Sequence, residues 1–194
     1  MPPMRIILAS ASPRRVELLR SLGLEFEIVP SDAVECDEHP VSPRDLALHN
    51  AQLKARDVAA KRPDAWVIGA DTIVVLAGQV YGKPRDLEEA RHMLRNLSGR
   101  SHCVVTGVCL IAGVERSFAV ETWVQFRDLA EADVERYIAA VNTLDKAGAY
   151  AIQEGPPIVA TIDGSFSNVV GMPLERLVIE LRECGVIVDE PPRK

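Results

Sequence analysis

The sequence predicts a single α/β domain built on a mixed, twisted β-sheet flanked by helices. Short apolar runs at Ile6 to Ala9 and Trp66 to Ala70 alternate with helical stretches, which is the pattern of β-α-β units and parallel pairing. Longer runs rich in Val, Ile, Thr and Phe from Ser101 to Phe126 flank Ala112-Gly113, which reads as an antiparallel hairpin. A sheet that takes both kinds of connection is mixed. The chain has 194 residues, 47% hydrophobic and 26% charged, so one domain over residues 1–194 is expected, with a frayed tail over 190–194.

Taken in order, Ile6 to Ala9 is a short buried strand. A helix follows from Pro13, with Ser12 as N-cap, Pro13 at the first helical position and Gly23 as its end. Glu25 to Val29 alternates like a half-buried strand, and the acidic stretch Ser31 to Pro40 is a loop. Ser42-Pro43-Arg44-Asp45 opens a long helix to about Lys61, with the acidic residue three after the Ser that a capping box requires. Trp66 to Ala70 is a second buried strand that delivers Asp71 at its C-terminal end. Ile73 to Leu76 and Val80-Tyr81 form a hairpin around Ala77-Gly78-Gln79. Asp86 caps a helix to Leu97 that stops at Gly99. After the long hairpin come a helix from Glu131 to Val141, a strand from Ile158 to Ile162, and an amphipathic helix from Pro173 to Cys184 closed by Gly185.

Charge and composition narrow the function. The net charge is −6 and the Lys and Arg residues are dispersed, which argues against non-specific binding to nucleic acid or to a membrane surface. Cys36, Cys103, Cys109 and Cys184 form no CxxC pair, so neither zinc nor a disulfide framework is indicated and a reducing cytoplasm fits. No run approaches the roughly 20 apolar residues that span a bilayer.

Four groups of residues could carry chemistry. In Ser10-Ala11-Ser12-Pro13-Arg14-Arg15 a strand end turns into a helix N-terminus bearing two guanidinium groups. Free N–H groups, the helix dipole and planar donors suit phosphate oxygens, although a capped surface helix with solvated arginines fits equally well. Asp71-Thr72 follows a buried strand, where a carboxylate can bind a metal or take a proton from water, or can simply close a turn. Glu35, Asp37 and Glu38 offer oxygen donors to Mg²⁺ or Mn²⁺, or form a solvated acidic loop. Lys54, Lys83 and Lys146 lie in separate elements and could reach phosphates as mobile charges, or serve only solubility, and nothing in their spacing chooses between the two. The four histidines have no metal-ligand spacing, and no Walker loop, GxSxG elbow or HExxH pair is present.

The string Ile7 to Leu19, reading ILASASPRRVELL, closely resembles the opening motif of the Maf family. Gly69 to Val74, Gly82-Lys83-Pro84, Leu97-Ser98-Gly99, Asp145 to Tyr150 and Val169 to Leu174 resemble further Maf blocks in the same order, so that the resemblance covers nearly the whole chain. The resemblance implies a fold similar to inosine triphosphate pyrophosphatases, a homodimer, and a cleft for a nucleoside triphosphate and a divalent metal cation. By matching motif, Asp71 is implied as the proton acceptor that activates water, and Ser10, Arg14, Arg15, Lys54 and Lys83 as triphosphate contacts. Glu35 is implied as a metal ligand or second carboxylate, together with Asp71. Arg14, Thr72 and Gln153 match positions that sort the family by base, in a combination resembling the dTTP/UTP pyrophosphatase branch. The alternatives are an activity on 7-methyl-GTP or another non-canonical nucleotide, and a non-enzymatic nucleotide-binding regulator of cell division. The chain departs from the family pattern at Val34, where an acidic residue is common, at Leu53 for Glu, and at Glu154 for Gly.

Overall fold

The computed structural model of the protein describes residues 5–36 and 42–192. The acidic positions Asp37 and Glu38, with His39, lie outside the described residues, as do the last two residues of the expected tail. The described chain runs β1 (Arg5–Leu8), α1 (Pro13–Arg20), β2 (Glu27–Ile28), α2 (Pro43–Lys61), β3 (Ala65–Leu76), β4 (Gln79–Tyr81), α3 (Leu87–Leu97), β5 (Ser101–Ala112), β6 (Val114–Phe126), α4 (Glu131–Ala140), β7 (Val159–Asp163), α5 (Phe166–Val170) and α6 (Leu174–Glu183). Two short 3-10 turns, Thr143–Asp145 and Ala147–Ala149, lie between α4 and β7.

The strands form one seven-stranded mixed sheet in the order β2-β1-β3-β5-β6-β7, with β4 also on β3. β1 pairs parallel with β2 and β3, and the remaining pairings are antiparallel. The expected mixed α/β class is thus what the chain adopts. The local signals worked as physical chemistry predicts. The Ser42 hydroxyl accepts from the Asp45 N–H at 3.1 Å and the Asp86 carboxylate from the Glu89 N–H at 2.8 Å, so both N-caps form. Ala77 and Gly78 take φ of 51° and 81°, the two left-handed positions that a two-residue hairpin turn requires between Leu76 and Gln79.

Three expectations change. Trp66 to Ala70 and Ile73 to Leu76 are not separate strands. They are one strand, β3, so Asp71 lies inside it rather than at its end. The sequence around Asp71-Thr72 reads as a break because both residues are polar, yet antiparallel pairing with β5 carries the backbone straight through, with Asp71 opposite Gly107 and Thr72 opposite Thr106. The strand expected over Glu25 to Val29 shrinks to the edge pair Glu27–Ile28. Ser12 sits at the N-cap of α1 with extended backbone but makes no side-chain cap, and its own N–H donates to the Ser10 hydroxyl at 3.3 Å.

One consequence of this register positions the cleft. β1 pairs with Ala65 to Ile68 of β3, and β4 pairs with Val74 to Leu76 on the same edge. Gly69 to Ile73 therefore have a strand neighbour only on the β5 side. The gap lies at the carboxyl end of β1, where the chain turns into α1.

The two sheet faces are covered differently. On one face α1 and α6 pack on Leu8, Ile68, Ala70 and Leu110, while α3 and α4 pack on Val74, Val104, Val124 and Phe126. Thr72 falls between these two apolar clusters. The opposite face carries α2, whose Ala47, Ala51 and Ala55 are fully buried. This helix comes so close that a Cβ built on Gly69 would stand 2.5 Å from the Ala51 carbonyl oxygen, and one on Gly107 would stand 2.4 Å from that of Ala47. Both contacts are to helix backbone, which cannot swing aside. Gly107→Ala should therefore destabilise the protein by about 1–3 kcal/mol, as overpacked cores do. Gly82→Ala should not destabilise it, because an added methyl there meets nothing within 4 Å. Urea denaturation of the two variants checks this. Equal stability of both would mean that α2 does not need the glycine approach.

Candidate active site

The gap beside β3 opens into a cleft of about 900 Å³. Its lining includes the described candidates Ser10, Arg14, Arg15, Glu35, Lys54, Asp71, Thr72, Lys83, Lys146 and Gln153. Residues separated by more than 140 positions in the chain thus share one concave surface.

Strand alternation sends Asp71 and Thr72 to opposite faces of β3. Asp71 points toward α2 and is 5% exposed. Its Oδ1 accepts from Lys54 Nζ at 2.7 Å and its Oδ2 from Asn50 Nδ2 at 3.3 Å. Asn50 and Lys54 stand one turn apart on α2, on the face the glycines draw against the sheet. Lys54 Nζ also pairs with Glu35 at 3.0 Å, so one ammonium bridges two carboxylates. Burial by itself would raise the Asp71 carboxyl. The charge and hydrogen bond of Lys54, the charge of Arg15 and the Asn50 amide outweigh burial and hold it below the usual carboxylate range. Asp71 is therefore ionised at neutral pH and able to accept a proton.

On the other face, Arg15 is tied down by three bonds. Nε donates to the Gly171 carbonyl at 2.9 Å, one terminal nitrogen to the Ser10 hydroxyl at 3.2 Å, and the other to the Thr72 hydroxyl at 3.0 Å. Thr72 lies 3.0 Å from the Thr106 hydroxyl, which itself donates to the Asn168 carbonyl at 3.0 Å. With the Thr106 proton committed, Thr72 donates to Thr106 and accepts from Arg15. The result is a directed chain across the seam between the two apolar clusters. Burial pulls Arg15 below the usual guanidinium value, and the nearby Asp71 and Glu35 carboxylates oppose that pull. Ser10 accepts from both Ser12 N–H and Arg15, which leaves its hydroxyl proton available to an anion.

Arg14 faces the far wall. It sits 3.7 Å from Asp145 and 3.6 Å from Glu154, while the buried Lys146 reaches the same two carboxylates at 2.7 and 3.1 Å. Glu154, the residue that departs from the family's Gly, thus helps to balance two cations. Lys83 is exposed and pairs with no described carboxylate. Its loop is pinned where the Gly148 N–H donates to the Gly82 carbonyl at 3.0 Å. Gln153 is exposed in the lining of the same cleft.

Sequence reasoning missed Asn50, Thr106 and Asn168, all of which are buried. A signal for Asn50 existed. An Asn four residues before Lys54, on the alanine face of a helix, is polar where packing alone asks for a small apolar residue. Thr106 carried no such signal, because a Thr in a Val-rich strand is ordinary. His102 is packed rather than ligating, with Nε2 2.8 Å from the Tyr150 hydroxyl, and burial lowers its pKa to about 4.

The family model described as Maf-like protein matches residues 5–184. The dTTP/UTP pyrophosphatase of Akkermansia muciniphila is 48% identical over 187 residues, covering 95% of this chain and 98% of its own. The proteins of the same name from Geotalea uraniireducens and Carboxydothermus hydrogenoformans are 49% and 47% identical, each over 94% of this chain and over 96% and 100% of their own. Among solved structures, the Ham1 protein of Staphylococcus aureus aligns over 64% of this chain and 72% of its own, at 17% identity and a TM-score of 0.48. With the model spanning nearly the whole sequence and relatives almost half identical from end to end, the chain belongs to the Maf-like protein family.

Proposed function

We propose that the protein is a nucleoside triphosphate pyrophosphatase that hydrolyses dTTP and UTP to the nucleoside monophosphate and pyrophosphate. The observation that carries this reading is Asp71, a buried ionised carboxylate bridged by Lys54 to Glu35, beside an anion-ready helix N-terminus in one cleft. The names of the relatives support the substrate class.

In this reading the triphosphate lies along the Ser10 hydroxyl, the free N–H groups at the start of α1, and the cations Arg14, Arg15, Lys54 and Lys83. Asp71 takes a proton from water as the water oxygen bonds to the α-phosphorus. The bond from that phosphorus to the bridging oxygen breaks, and pyrophosphate leaves. A phosphate chain drawn against Lys54 adds negative charge near Asp71, which raises the proton affinity of the carboxylate at the moment it is needed. Spreading negative charge on the phosphate oxygens meets fixed cations, and such electrostatic stabilisation is usually the largest part of phosphoryl catalysis.

Glu35 and Asp71 are the carboxylates that would hold a divalent cation, Mg²⁺ or Mn²⁺. Both offer hard oxygen donors, and no group of three acidic, His or Cys side chains suited to a metal occurs among the described residues. The Lys54 ammonium would yield its place between the two carboxylates to such an ion, which would take its remaining ligands from phosphate and water. The cation would supply further neutralisation of the triphosphate.

Gln153 supports the choice of base. Its amide can accept from N3–H of uracil or thymine and donate to a ring carbonyl, a two-point match. No helix among the described residues is long and apolar enough to cross a membrane. A cytoplasmic homodimer completes the proposal, on the strength of the family resemblance, and light scattering during gel filtration tests the dimer.

Hydrolysis of dTTP in ¹⁸O-water should place the label in the monophosphate, with pyrophosphate as first product. Label in pyrophosphate would move the attack to the β-phosphorus, and orthophosphate as first product would make the protein a phosphatase. A nucleotide panel in which 7-methyl-GTP outpaces dTTP and UTP would overturn the base assignment.

A further inference from the structure

We infer that Asn50 is a positioning residue that clamps the Glu35 loop and the Asp71 carboxylate to helix α2 as one rigid unit; this rests on the function proposed above. The side chain is 2% exposed in the interior of a 19-residue helix, between Ala47 and Ala51, which are fully buried. Three described partners occupy its amide. Oδ1 accepts from the Cys36 N–H at 2.8 Å, and Nδ2 donates to the Cys36 carbonyl at 2.9 Å and to Asp71 Oδ2 at 3.3 Å.

The first two bonds copy the exchange between paired strands, with a side chain in place of the second backbone. They fix both faces of the Cys36 peptide next to Glu35, whose carboxylate is thereby set against Lys54 at 3.0 Å. Among the described residues, the backbone near the start of this loop is anchored where Ser31 and the Asp32 N–H both donate to Asp57 near the end of α2. At the cleft, Asn50 alone among the described residues touches both the loop backbone and Asp71. Helix α2 thus supplies the charge of the site through Lys54 and its alignment through Asn50, one turn earlier.

No other residue type does both jobs at this place. Ala or Leu would satisfy the helix and leave the Cys36 N–H and carbonyl unpaired. Asp would keep the size and the bond to the Cys36 N–H, but it would set a carboxylate oxygen against both the Cys36 carbonyl and Asp71. A residue that served packing alone would tolerate Ala in a helix, since Ala is the better helix former.

The test compares wild type, Asn50→Ala, Asn50→Asp, Glu35→Gln and the double variant Asn50→Ala with Glu35→Gln, using dTTP with Mg²⁺. Asn50→Ala should lower kcat about tenfold or more with KM changed by less than about threefold and thermal unfolding still cooperative, since misplacing a catalytic group by about 1 Å is enough for such a loss. Asn50→Asp should be at least as impaired despite its conserved volume. The double variant should lose less than the product of the two single losses, because part of what Asn50 aligns is the group that Glu35→Gln has already removed. Amide exchange at Cys36, read by NMR on the free protein, should be slow in wild type and fast in Asn50→Ala. A kcat within twofold of wild type in Asn50→Ala, a fully additive double variant, or unchanged exchange at Cys36 would each overturn the clamp. If wild type releases no pyrophosphate, the function proposed above fails, while the exchange experiment still decides whether Asn50 holds the loop.

Discussion

Asp71→Asn should lower turnover by about 10²- to 10⁴-fold, the usual worth of a positioned general base. The effect belongs to chemistry rather than to architecture. Asn has the same shape, its oxygen can still accept from Lys54 at the 2.7 Å position, its NH₂ gives up only the 3.3 Å bond from Asn50, and β3 is held by β5 on one side and by β1 and β4 on the other. Lys54 also retains Glu35 as a partner at 3.0 Å, so the ammonium is not stranded. KM for dTTP should therefore change little while kcat collapses. An amide cannot take a proton from water, whereas the wild-type carboxylate is ionised because Lys54, Arg15 and Asn50 outweigh its burial. Steady-state kinetics with thermal unfolding on the same preparation checks both halves. If the variant keeps more than a third of wild-type turnover at saturating metal, another group takes the proton, and Glu35 is the next carboxylate at hand.

Much of this site was legible in the sequence, for reasons that differ by residue. Ser10 to Arg15 could be read locally, because a buried strand followed by Ser-Pro-Arg-Arg can only turn into a helix N-terminus crowded with donors. Asp71 was singled out for the wrong local reason. The sequence puts it at a strand end, whereas it is a mid-strand residue that borders the cleft because β1 stops opposite Ile68 and β4 ends opposite Val74. The β1 side of that gap is a property of pairing between segments 60 positions apart, which no local window contains. Asn50, Thr106 and Asn168 were hidden for the same reason. Their polarity makes sense only once α2 rests on Gly69 and Gly107, and once α5, too short to leave a periodic signal, closes the seam between the two apolar clusters.

Lys54→Met should destabilise the fold at neutral pH by about 3–5 kcal/mol, the cost of removing one partner from a buried ion pair. The Lys54 side chain is 11% exposed and that of Asp71 8%, so water cannot replace the lost ammonium, whereas Glu35 at 45% can turn outward and is expected to add little. Methionine keeps most of the stem volume, so the loss is electrostatic rather than a cavity. Its pH dependence follows from the same balance. In wild type the Asp71 pKa is depressed, so the carboxylate contributes stability above its unfolded value that is lost as pH falls through and below it. Without Lys54 the largest opposing influence, burial, is left to dominate, and the Asp71 pKa should rise above the unfolded value. The variant should then regain stability as pH is lowered from 7 toward 5, a range over which Asp71 gives wild type no pH dependence, since its carboxylate is ionised there both folded and unfolded. A second substitution makes the argument stricter. Combining Lys54→Met with Asp71→Asn removes both charges and should restore most of the stability at pH 7, although not the activity. Urea denaturation at pH 5 and 7 on the three variants measures all of this. A double variant no more stable than Lys54→Met would show that the lysine stabilises the fold through its packing, and that Asp71 does not depend on it for its charge.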